Sequence, residues 1–309
     1  MPQETSVSNT WRALSSEFAN AIDHAGRSVV AVHARRRIPS SGVHWRSGII
    51  VTADHTIERD EDITVTLPDG RNVPATLAGR DPATDIAILK IDAGNLAIAE
   101  KSDAASLKAG NLVLAAGRTA EGATRASSAL VGVTGPALRT WQGGQLDLTV
   151  RLDRRLHPNL SGGPALDDQG RAYGINTSGL SRLASLVIPA STVDRVSAEL
   201  EKKGHMGRAY LGVGMQPVRL SEKLREALKI SNEIGIMVAS VEPEGPAEKA
   251  GVMLGDVLVA LDGKTLNNLR SVQNFLIGAQ IGKPVKVSII RGGALIEVVI
   301  TIGERPAAN

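Results

Sequence analysis

Short apolar segments separated by turn signals fill residues 28–189, and this pattern limits the possible folds more than any other feature of the chain. Val29–Val32 is continuously apolar, Gly48 predicts one hairpin, and Asp69-Gly70 predicts another. Further short strands are predicted at 49–52, 63–67, 86–91, 112–116, 146–152 and 172–175. Because no long helical pattern separates these strands, the region is predicted to form barrels or a sandwich rather than alternating strands and helices.

The N-terminal segment, residues 1–27, carries a helical pattern instead. Trp11, Leu14, Phe18 and Ile22 recur at the spacing of one helix face, and the pattern ends at Gly26. The apolar face of this amphipathic helix can pack against its own domain or contact another subunit, and the sequence leaves both possibilities open.

The pattern changes again in the last third of the chain. Ser191 or Thr192 is predicted to cap a helix that ends near Lys203, and residues 204–207 are predicted to be a linker. Residues 208–305 then combine strands and helices in a compact α+β module of ordinary domain size. Its clearest elements are the predicted strands Ile234–Val241 and Val257–Leu261 and a hairpin about Gly292-Gly293.

Composition excludes several classes of function. The chain has 309 residues and no cysteine, so it can form neither a disulfide nor a thiolate site. A net charge of +3, from 35 basic and 32 acidic residues, is too small to indicate nucleic-acid binding. No apolar run is long enough for a membrane span, and no histidine has metal-ligand spacing, so neither a metal nor a cofactor is predicted. As written, the N-terminus carries no export signal and predicts a cytoplasmic protein; a trimmed N-terminus would instead be compatible with a periplasmic or extracytoplasmic one.

The chemistry is concentrated around Ser161-Gly162-Gly163-Pro164, with His55 and Asp85 upstream of it. A serine hydroxyl attacks an amide only when a base takes its proton and an acid orients that base. The order His, Asp, Ser is that of chymotrypsin, and Asn159 excludes the Gly-x-Ser-x-Gly elbow of lipases. Asp81 is a rival orienting acid, but Asp85 directly precedes an apolar strand, where a carboxylate would be held and partly buried.

Three segments, in this order, resemble those of a known family. They are Thr52-Ala53-Asp54-His55-Thr56-Ile57, Asp81–Lys90, and Ser161–Pro164 followed by Gly174-Ile175-Asn176-Thr177. Over residues 28–303 the chain resembles the HtrA/Deg family of serine endoproteases. The resemblance implies a mainly β protein, with a chymotrypsin-like double β-barrel protease domain at 28–203 and a PDZ domain at 208–305. It also implies that Ser161 is the nucleophile, His55 the general base and Asp85 the orienting acid.

The resemblance extends to the substrate site, with one departure. Backbone amides of Asn159, Leu160 and Ser161 should form the oxyanion hole, but the family usually has Gly-Asn where this chain has Asn159-Leu160. The hole is therefore expected to be compromised, or to form only after a rearrangement. The S1 pocket is expected at Ile175, Asn176, Thr177 and Leu186. Because no acidic residue lies at its expected base, small or medium aliphatic P1 residues are predicted.

In the C-terminal module, Tyr210-Leu211-Gly212-Val213 resembles a PDZ carboxylate-binding loop. The resemblance implies an ATP-independent endopeptidase that cleaves unfolded or misfolded polypeptides, with the PDZ domain binding C-termini of substrates or activators, and it implies a homotrimer. The alternative is a catalytically weakened or inactive scaffold or chaperone that binds peptides through the PDZ domain.

Overall fold

The structure is a computed structural model that describes residues 4–92, 94–207, 209–278 and 281–305. Residues 1–3 of the predicted N-terminal segment and Arg208, the predicted start of the PDZ domain, lie outside these ranges. The chain divides into two compact units, residues 1–206 and 207–309.

The first unit begins with helix α1 (Glu4–Gly26) and continues into a closed six-stranded antiparallel barrel. Its strands are β1 (Val29–His33), β2 (Ser40–Arg46), β3 (Ile49–Thr52), β4 (Ile63–Thr66), β5 (Asn72–Asp81) and β6 (Ile86–Lys90), in the order β1-β2-β3-β6-β5-β4. Gly48 and Gly70, at φ +71° and +85°, make the two predicted hairpin turns, since glycine adopts positive φ without strain.

A second closed barrel follows, with a small two-stranded hairpin inserted into it. The elements in chain order are β7 (Leu112–Arg118), β8 (Thr124–Gly135), the hairpin β9 (Leu138–Arg139) and β10 (Gln145–Leu146), β11 (Thr149–Leu152), β12 (Pro164–Leu166), β13 (Ala172–Thr177) and β14 (Leu186–Pro189). The barrel order is β11-β14-β13-β12-β7-β8. The two barrels confirm the mainly β, double-barrel fold class predicted for this region.

One hydrophobic cluster joins the two barrels. It contains Trp45 and Ile88 from the first barrel and Ile175 and Leu186 from the second. Helices on the outside complete the cluster, with Ile22 of α1 among the buried residues. The predicted catalytic residues therefore lie next to strands that a shared core holds in fixed positions.

Helix α1 confirms the predicted amphipathic helix but buries only part of its apolar face. Ile22 is buried and Phe18 packs against the joining cluster. Trp11 and Leu14, one to three turns earlier, are 73% and 41% exposed. The C-terminal half of the helix packs on its own unit, and the N-terminal half presents apolar side chains to the surface.

The predicted cap of the helix after β14 is wrong. Helix α2 (Ala190–Lys203) begins before both predicted capping residues. Pro189 occupies the N-cap position, and no side chain caps the first turn. The Thr192 hydroxyl instead accepts a 2.8 Å hydrogen bond from the backbone amide of Asp147, so tertiary contact overrides local capping. The helix ends at Gly204, whose φ of +78° suits glycine, and the Arg80 amide binds the Gly204 carbonyl at 3.3 Å.

The second unit is an α+β module with its own core. Its elements are β15 (Ala209–Tyr210), β16 (Val213–Arg219), α3 (Glu222–Leu228), β17 (Ile234–Val241), α4 (Pro246–Lys249), β18 (Val257–Leu261), β19 (Lys264–Thr265), α5 (Leu269–Gly278), β20 (Pro284–Arg291), β21 (Ala294–Thr301) and β22 (Gly303–Glu304). The main sheet has the order β16-β17-β18-β20-β21, which leaves β16 at an edge, and α5 packs next to β15 and β16.

Candidate active site

His55 and Asp85 meet because their strands are paired. Antiparallel pairing of Thr52 with Ala87 joins the end of β3 to the start of β6. His55 lies in a single 3₁₀ turn, Asp54–Thr56, just after β3, and Asp85 lies just before β6. Asp85 has φ +59°, a left-handed conformation that is uncommon outside glycine and costs free energy. Such strain persists where surrounding contacts fix it, and functional sites often contain it.

The carboxylate of Asp85 holds the imidazole of His55 in one orientation. His55 Nδ1 lies 3.0 Å and 2.9 Å from the two carboxylate oxygens, and the His55 amide donates to Oδ1 at 2.8 Å. The Thr177 hydroxyl donates to Oδ2. Asp85 is only 2% exposed, so its charge depends on these donors. With Nδ1–H bound to the carboxylate, Nε2 of a neutral imidazole is the free acceptor.

Asp81 serves a different purpose from Asp85. Its carboxylate accepts hydrogen bonds from the amides of Ala83 and Thr84, each at 3.2 Å, and from the Thr84 hydroxyl at 2.7 Å. Asp81 therefore stabilises the turn that precedes Asp85. The carboxylate bound to the His55 imidazole is that of Asp85.

Ser161 lies where the two barrels meet. Its carbonyl accepts a 3.1 Å hydrogen bond from the amide of Ser41 in the first barrel. The next residue, Gly162, donates at 2.8 Å to the carbonyl of Asn176 in the second. Gly162 has φ +83°, and a Cβ there would lie 2.2 Å from the Ser41 carbonyl oxygen, so only glycine fits.

The hydroxyl of Ser178 lies between Ser161 and His55. Ser178 Oγ is 3.0 Å from Ser161 Oγ and 3.4 Å from His55 Nε2. Within the described ranges no hydrogen bond joins Ser161 directly to His55. The adjacent Gly179 packs on the imidazole so closely that a Cβ would lie 2.6 Å from Nδ1. Ser178 is not among the site residues predicted from the sequence, because only its position one residue beyond Thr177 indicates contact with the triad.

The three amides predicted to form the oxyanion hole are all engaged. Pro158–Leu160 is a 3₁₀ turn in which the Leu160 amide donates to the His157 carbonyl at 2.8 Å and the Ser161 amide to the Pro158 carbonyl at 3.3 Å. The Asn159 amide donates to His157 Nδ1 at 3.1 Å. In this conformation none of them is free to bind an oxyanion.

The Asn159 side chain anchors this turn. Its Nδ2 donates to the carbonyls of Pro39 at 2.9 Å and Arg118 at 3.0 Å. The backbone carbonyl of Asn159 accepts a hydrogen bond from the Ser41 hydroxyl at 2.7 Å. Partial burial, and then the positive charges of Arg125 and Arg35, lower the pKa of His157. The lowered pKa favours a neutral His157, and a neutral imidazole can accept the hydrogen bond from the Asn159 amide at Nδ1.

The residues predicted to line the S1 pocket are all buried. Ile175, Asn176, Thr177 and Leu186 are each at most 1% exposed, and Asn176 Nδ2 donates to the carbonyls of Gly163 and Pro164. An open pocket beside the site has different walls, namely Trp141, Arg155 and residues 178–182. The four residues predicted for the S1 pocket do not include these walls, because loops far apart in the chain form them.

The predicted carboxylate-binding loop directs its backbone carbonyls and amides to opposite sides. The carbonyls of Leu211 and Gly212 accept hydrogen bonds from the amides of Ala247 and Glu242 at 2.8 Å and 2.9 Å. Because the N–H of a trans peptide points opposite to its C=O, the amides of Gly212 and Val213 point away from these partners. Gly212 has φ +75°, and the loop leads directly into the edge strand β16.

Within the described ranges of the chain, no group of three His, Asp or Glu side chains could hold a metal ion. No helix there is long and apolar enough to cross a membrane.

Comparison with known proteins agrees with the fold and the site. The trypsin-like peptidase domain family matches residues 40–175, and the PDZ domain family matches residues 209–302. Two relatives bear the name "Probable periplasmic serine endoprotease DegP-like". The one from Halomonas elongata is 31% identical over 277 residues, 88% of this chain and 57% of the relative. The one from Brucella suis is 33% identical over 282 residues, 89% of this chain and 54% of the relative. The chain thus spans little more than half the length of these relatives.

Solved structures give the same result. The HtrA-type protease AlgW with decapeptide superposes with a TM-score of 0.71 at 26% identity, covering 94% of this chain and 99% of that one. The serine endoprotease from Yersinia pestis gives a TM-score of 0.71 at 27% identity, covering 94% and 98%. A trypsin-like peptidase domain followed by one PDZ domain is the class that this fold and site define. Within that class, the chain belongs to the HtrA/Deg family.

Proposed function

We propose that the chain is a serine endopeptidase that cleaves unfolded or misfolded polypeptides without ATP. One observation carries the proposal. The buried Asp85 carboxylate orients the His55 imidazole, and the Ser178 hydroxyl lies within 3.4 Å of His55 Nε2 and 3.0 Å of Ser161 Oγ. The serine endoprotease names of the relatives support the same reaction.

Each catalytic group has a distinct task in this reaction. Ser161 Oγ attacks the scissile carbonyl while His55 Nε2 accepts the hydroxyl proton. His55 then gives that proton to the departing amine, and water repeats the sequence on the acyl-enzyme. Asp85 keeps Nδ1–H in place and stabilises the imidazolium that forms. The hydrogen bonds of Asp85 to the His55 amide and ring support this orienting role.

The described conformation is a resting one in this proposal. An oxyanion hole requires the Asn159 amide to leave His157 and the Ser161 amide to leave Pro158. Removal of one such donor typically lowers kcat by about a hundredfold or more, so the resting site would turn over slowly. A substrate or activator that reorders the Pro158–Leu160 turn would restore the rate.

The PDZ module is proposed to capture peptide C-termini. The carboxylate would bind the outward amides of the loop Tyr210-Leu211-Gly212-Val213, and the peptide would add as a strand to the edge of β16 beside α5. The peptide-bound AlgW structure supports this mode. A peptide with a free carboxylate should bind, and the same peptide with a C-terminal amide should bind at least tenfold more weakly.

A homotrimer and an extracytoplasmic location complete the proposal. The exposed Trp11 and Leu14 of α1 supply an apolar surface for association, and sedimentation of wild type against a Trp11→Ser/Leu14→Ser variant tests it. Loss of the trimer in the variant is expected, and an unchanged mass would exclude this surface.

The periplasmic names of the relatives support the extracytoplasmic location, which cell fractionation tests.

Activity is tested with a fluorophosphonate probe and with unfolded casein, each with and without ATP. Wild type should react and cleave equally in both conditions, and Ser161→Ala should do neither. A wild type that behaves like Ser161→Ala, even with C-terminal peptides added, would leave the alternative of a scaffold without proteolysis.

A further inference from the structure

The open pocket beside Ser161 is formed by three loops of the second barrel. Trp141 comes from the loop between β9 and β10, Arg155 from the loop before Ser161, and residues 178–182 from the loop after β13. Ser178 is shared between the pocket and the catalytic site, since its hydroxyl lies 3.0 Å from Ser161 Oγ. A side chain in this pocket therefore belongs to a residue close to the scissile bond.

Arg155 is held toward the pocket by its anchored neighbours. The Arg154 carbonyl accepts the Ser185 amide at 3.1 Å, and the Leu156 amide donates to the Ser185 hydroxyl at 3.0 Å. Arg154 turns away and donates to the Ser128 carbonyl at 2.7 Å on β8. Arg155 instead lines the pocket, and its Nη1 donates to the Arg182 carbonyl at 3.2 Å.

The pocket carries uncompensated positive charge. Arg155 and Arg182 both line it, no acidic residue lines it, and neither arginine forms a salt bridge within the described residues. A guanidinium has five N–H donors, and the contact to Arg182 uses one of those on Arg155. Trp141, 80% exposed, adds an aromatic wall against which methylene groups can pack.

We propose that this pocket binds an acidic side chain of the substrate, so that the enzyme prefers polypeptide segments with glutamate or aspartate next to the scissile bond. The proposal rests on the proposed peptidase function and deepens it. Guanidinium donors in a planar fork match a carboxylate in a bidentate geometry. Glutamate fits better than aspartate, because its longer stem also reaches along the tryptophan wall. The same measurement tests the aliphatic P1 preference predicted from the sequence, because Glu is also placed at P1.

The test is a peptide library that places Glu, Gln or Lys at each of the three positions on either side of the scissile bond. Wild type should cleave peptides with Glu at one of these positions about tenfold faster in kcat/KM than those with Gln. High salt should reduce the difference, because the pair is partly exposed. Arg155→Glu should reverse the preference toward Lys. Arg154→Glu makes the same charge change one residue away and should keep the Glu preference.

Two results would overturn the proposal. Equal rates for Glu and Gln at every position would exclude an acidic subsite. Equal effects of Arg154→Glu and Arg155→Glu would mean that overall charge, and not this pocket, selects the substrate.

Binding separates this inference from the peptidase function itself. The Ser161→Ala protein can be titrated with the Glu and Gln peptides by tryptophan fluorescence, with Trp141→Phe identifying the signal of the pocket. Tighter binding of the Glu peptide, abolished by Arg155→Glu, supports the pocket even if no peptide is cleaved. Cleavage without any Glu preference in binding or rate leaves the peptidase intact and refutes the pocket.

Discussion

The hydroxyl of Ser178 lies between the hydroxyl of Ser161 and the imidazole of His55 in the resting site. In a neutral His55 whose Nδ1–H is bound to Asp85, Nε2 can accept a hydrogen bond from Ser178, and the Ser178 oxygen can accept one from Ser161. At 3.4 Å the contact to Nε2 is longer than a strong hydrogen bond, and among the described residues no hydrogen bond joins Ser161 directly to His55. In the proposed mechanism Ser178 therefore separates the nucleophile from its base, and we expect it to lower their reactivity.

Replacement of Ser178 by alanine should raise reactivity. Without the intervening hydroxyl, Ser161 can turn to donate directly to His55 Nε2, and the rate constant for fluorophosphonate labelling should rise about fivefold to tenfold. Ser181→Ala, in the same loop, is the matched control, because the Ser181 hydroxyl accepts from the Leu183 amide and, among the described residues, has no hydrogen bond to the triad. A large fall in labelling for Ser178→Ala would instead mean that Ser178 relays the proton.

At the scale of elements, one ion pair joins the start of β18 to the end of β20. Asp256 directly precedes β18, and Arg291 is the last residue of β20. Arg291 Nε and Nη2 donate to the two carboxylate oxygens at 2.8 Å and 2.7 Å, and the Met253 amide donates to Oδ2 at 2.8 Å. The Arg291 hydrogen bonds, more than any other contact, lower the pKa of the buried Asp256.

Arg291→Gln should destabilise the second unit by about 2 kcal/mol at pH 7, because it leaves the buried Asp256 carboxylate without its cation. A lowered folded-state pKa gives stability that is present above the ordinary carboxyl pKa and is lost as pH falls through the folded value. The difference between wild type and variant, measured by urea unfolding of the full chain, should therefore shrink below about pH 4. The exposed Lys286–Glu297 pair provides the control, and Lys286→Gln should cost under about 0.5 kcal/mol. A pH-independent difference would contradict this assignment.

At the scale of the whole molecule, each unit has its own hydrophobic core. The clusters of the first unit and of the second share no residue. Separate cores allow separate cooperative unfolding, and a ligand stabilises only the unit that binds it.

Calorimetry of the full chain should therefore resolve two unfolding transitions. A peptide with a free C-terminus at a hundred times its Kd should stabilise only the PDZ transition, by about 2.7 kcal/mol. The same peptide with an amidated C-terminus should shift neither. One transition that moves as a whole would mean that the two units unfold together.

Much of the fold was predictable because it depends on neighbouring residues. Apolar runs and turn residues such as Gly48 and Asp69-Gly70 act over a few positions, and the strands around them form as predicted. The cap of α2 was not predictable, because Thr192 contacts Asp147, which lies 45 residues away. Local preference of a residue is lost when a distant partner offers a better hydrogen bond.

The sequence by itself determined several of the strands, the two-domain class and the chain order of His55, Asp85 and Ser161, since each depends on residue type and local spacing. Only the tertiary structure decided that the predicted strand 146–152 is divided into β10 and β11. It also decided that Asp81 serves the turn, that the Ser178 hydroxyl lies between Ser161 and His55, and that the Asn159 and Ser161 amides are engaged. It also decided that Arg155 faces the pocket while Arg154 does not. These outcomes depend on distances of about 3 Å between loops far apart in the chain, which the packing of the two barrels sets and no local pattern encodes.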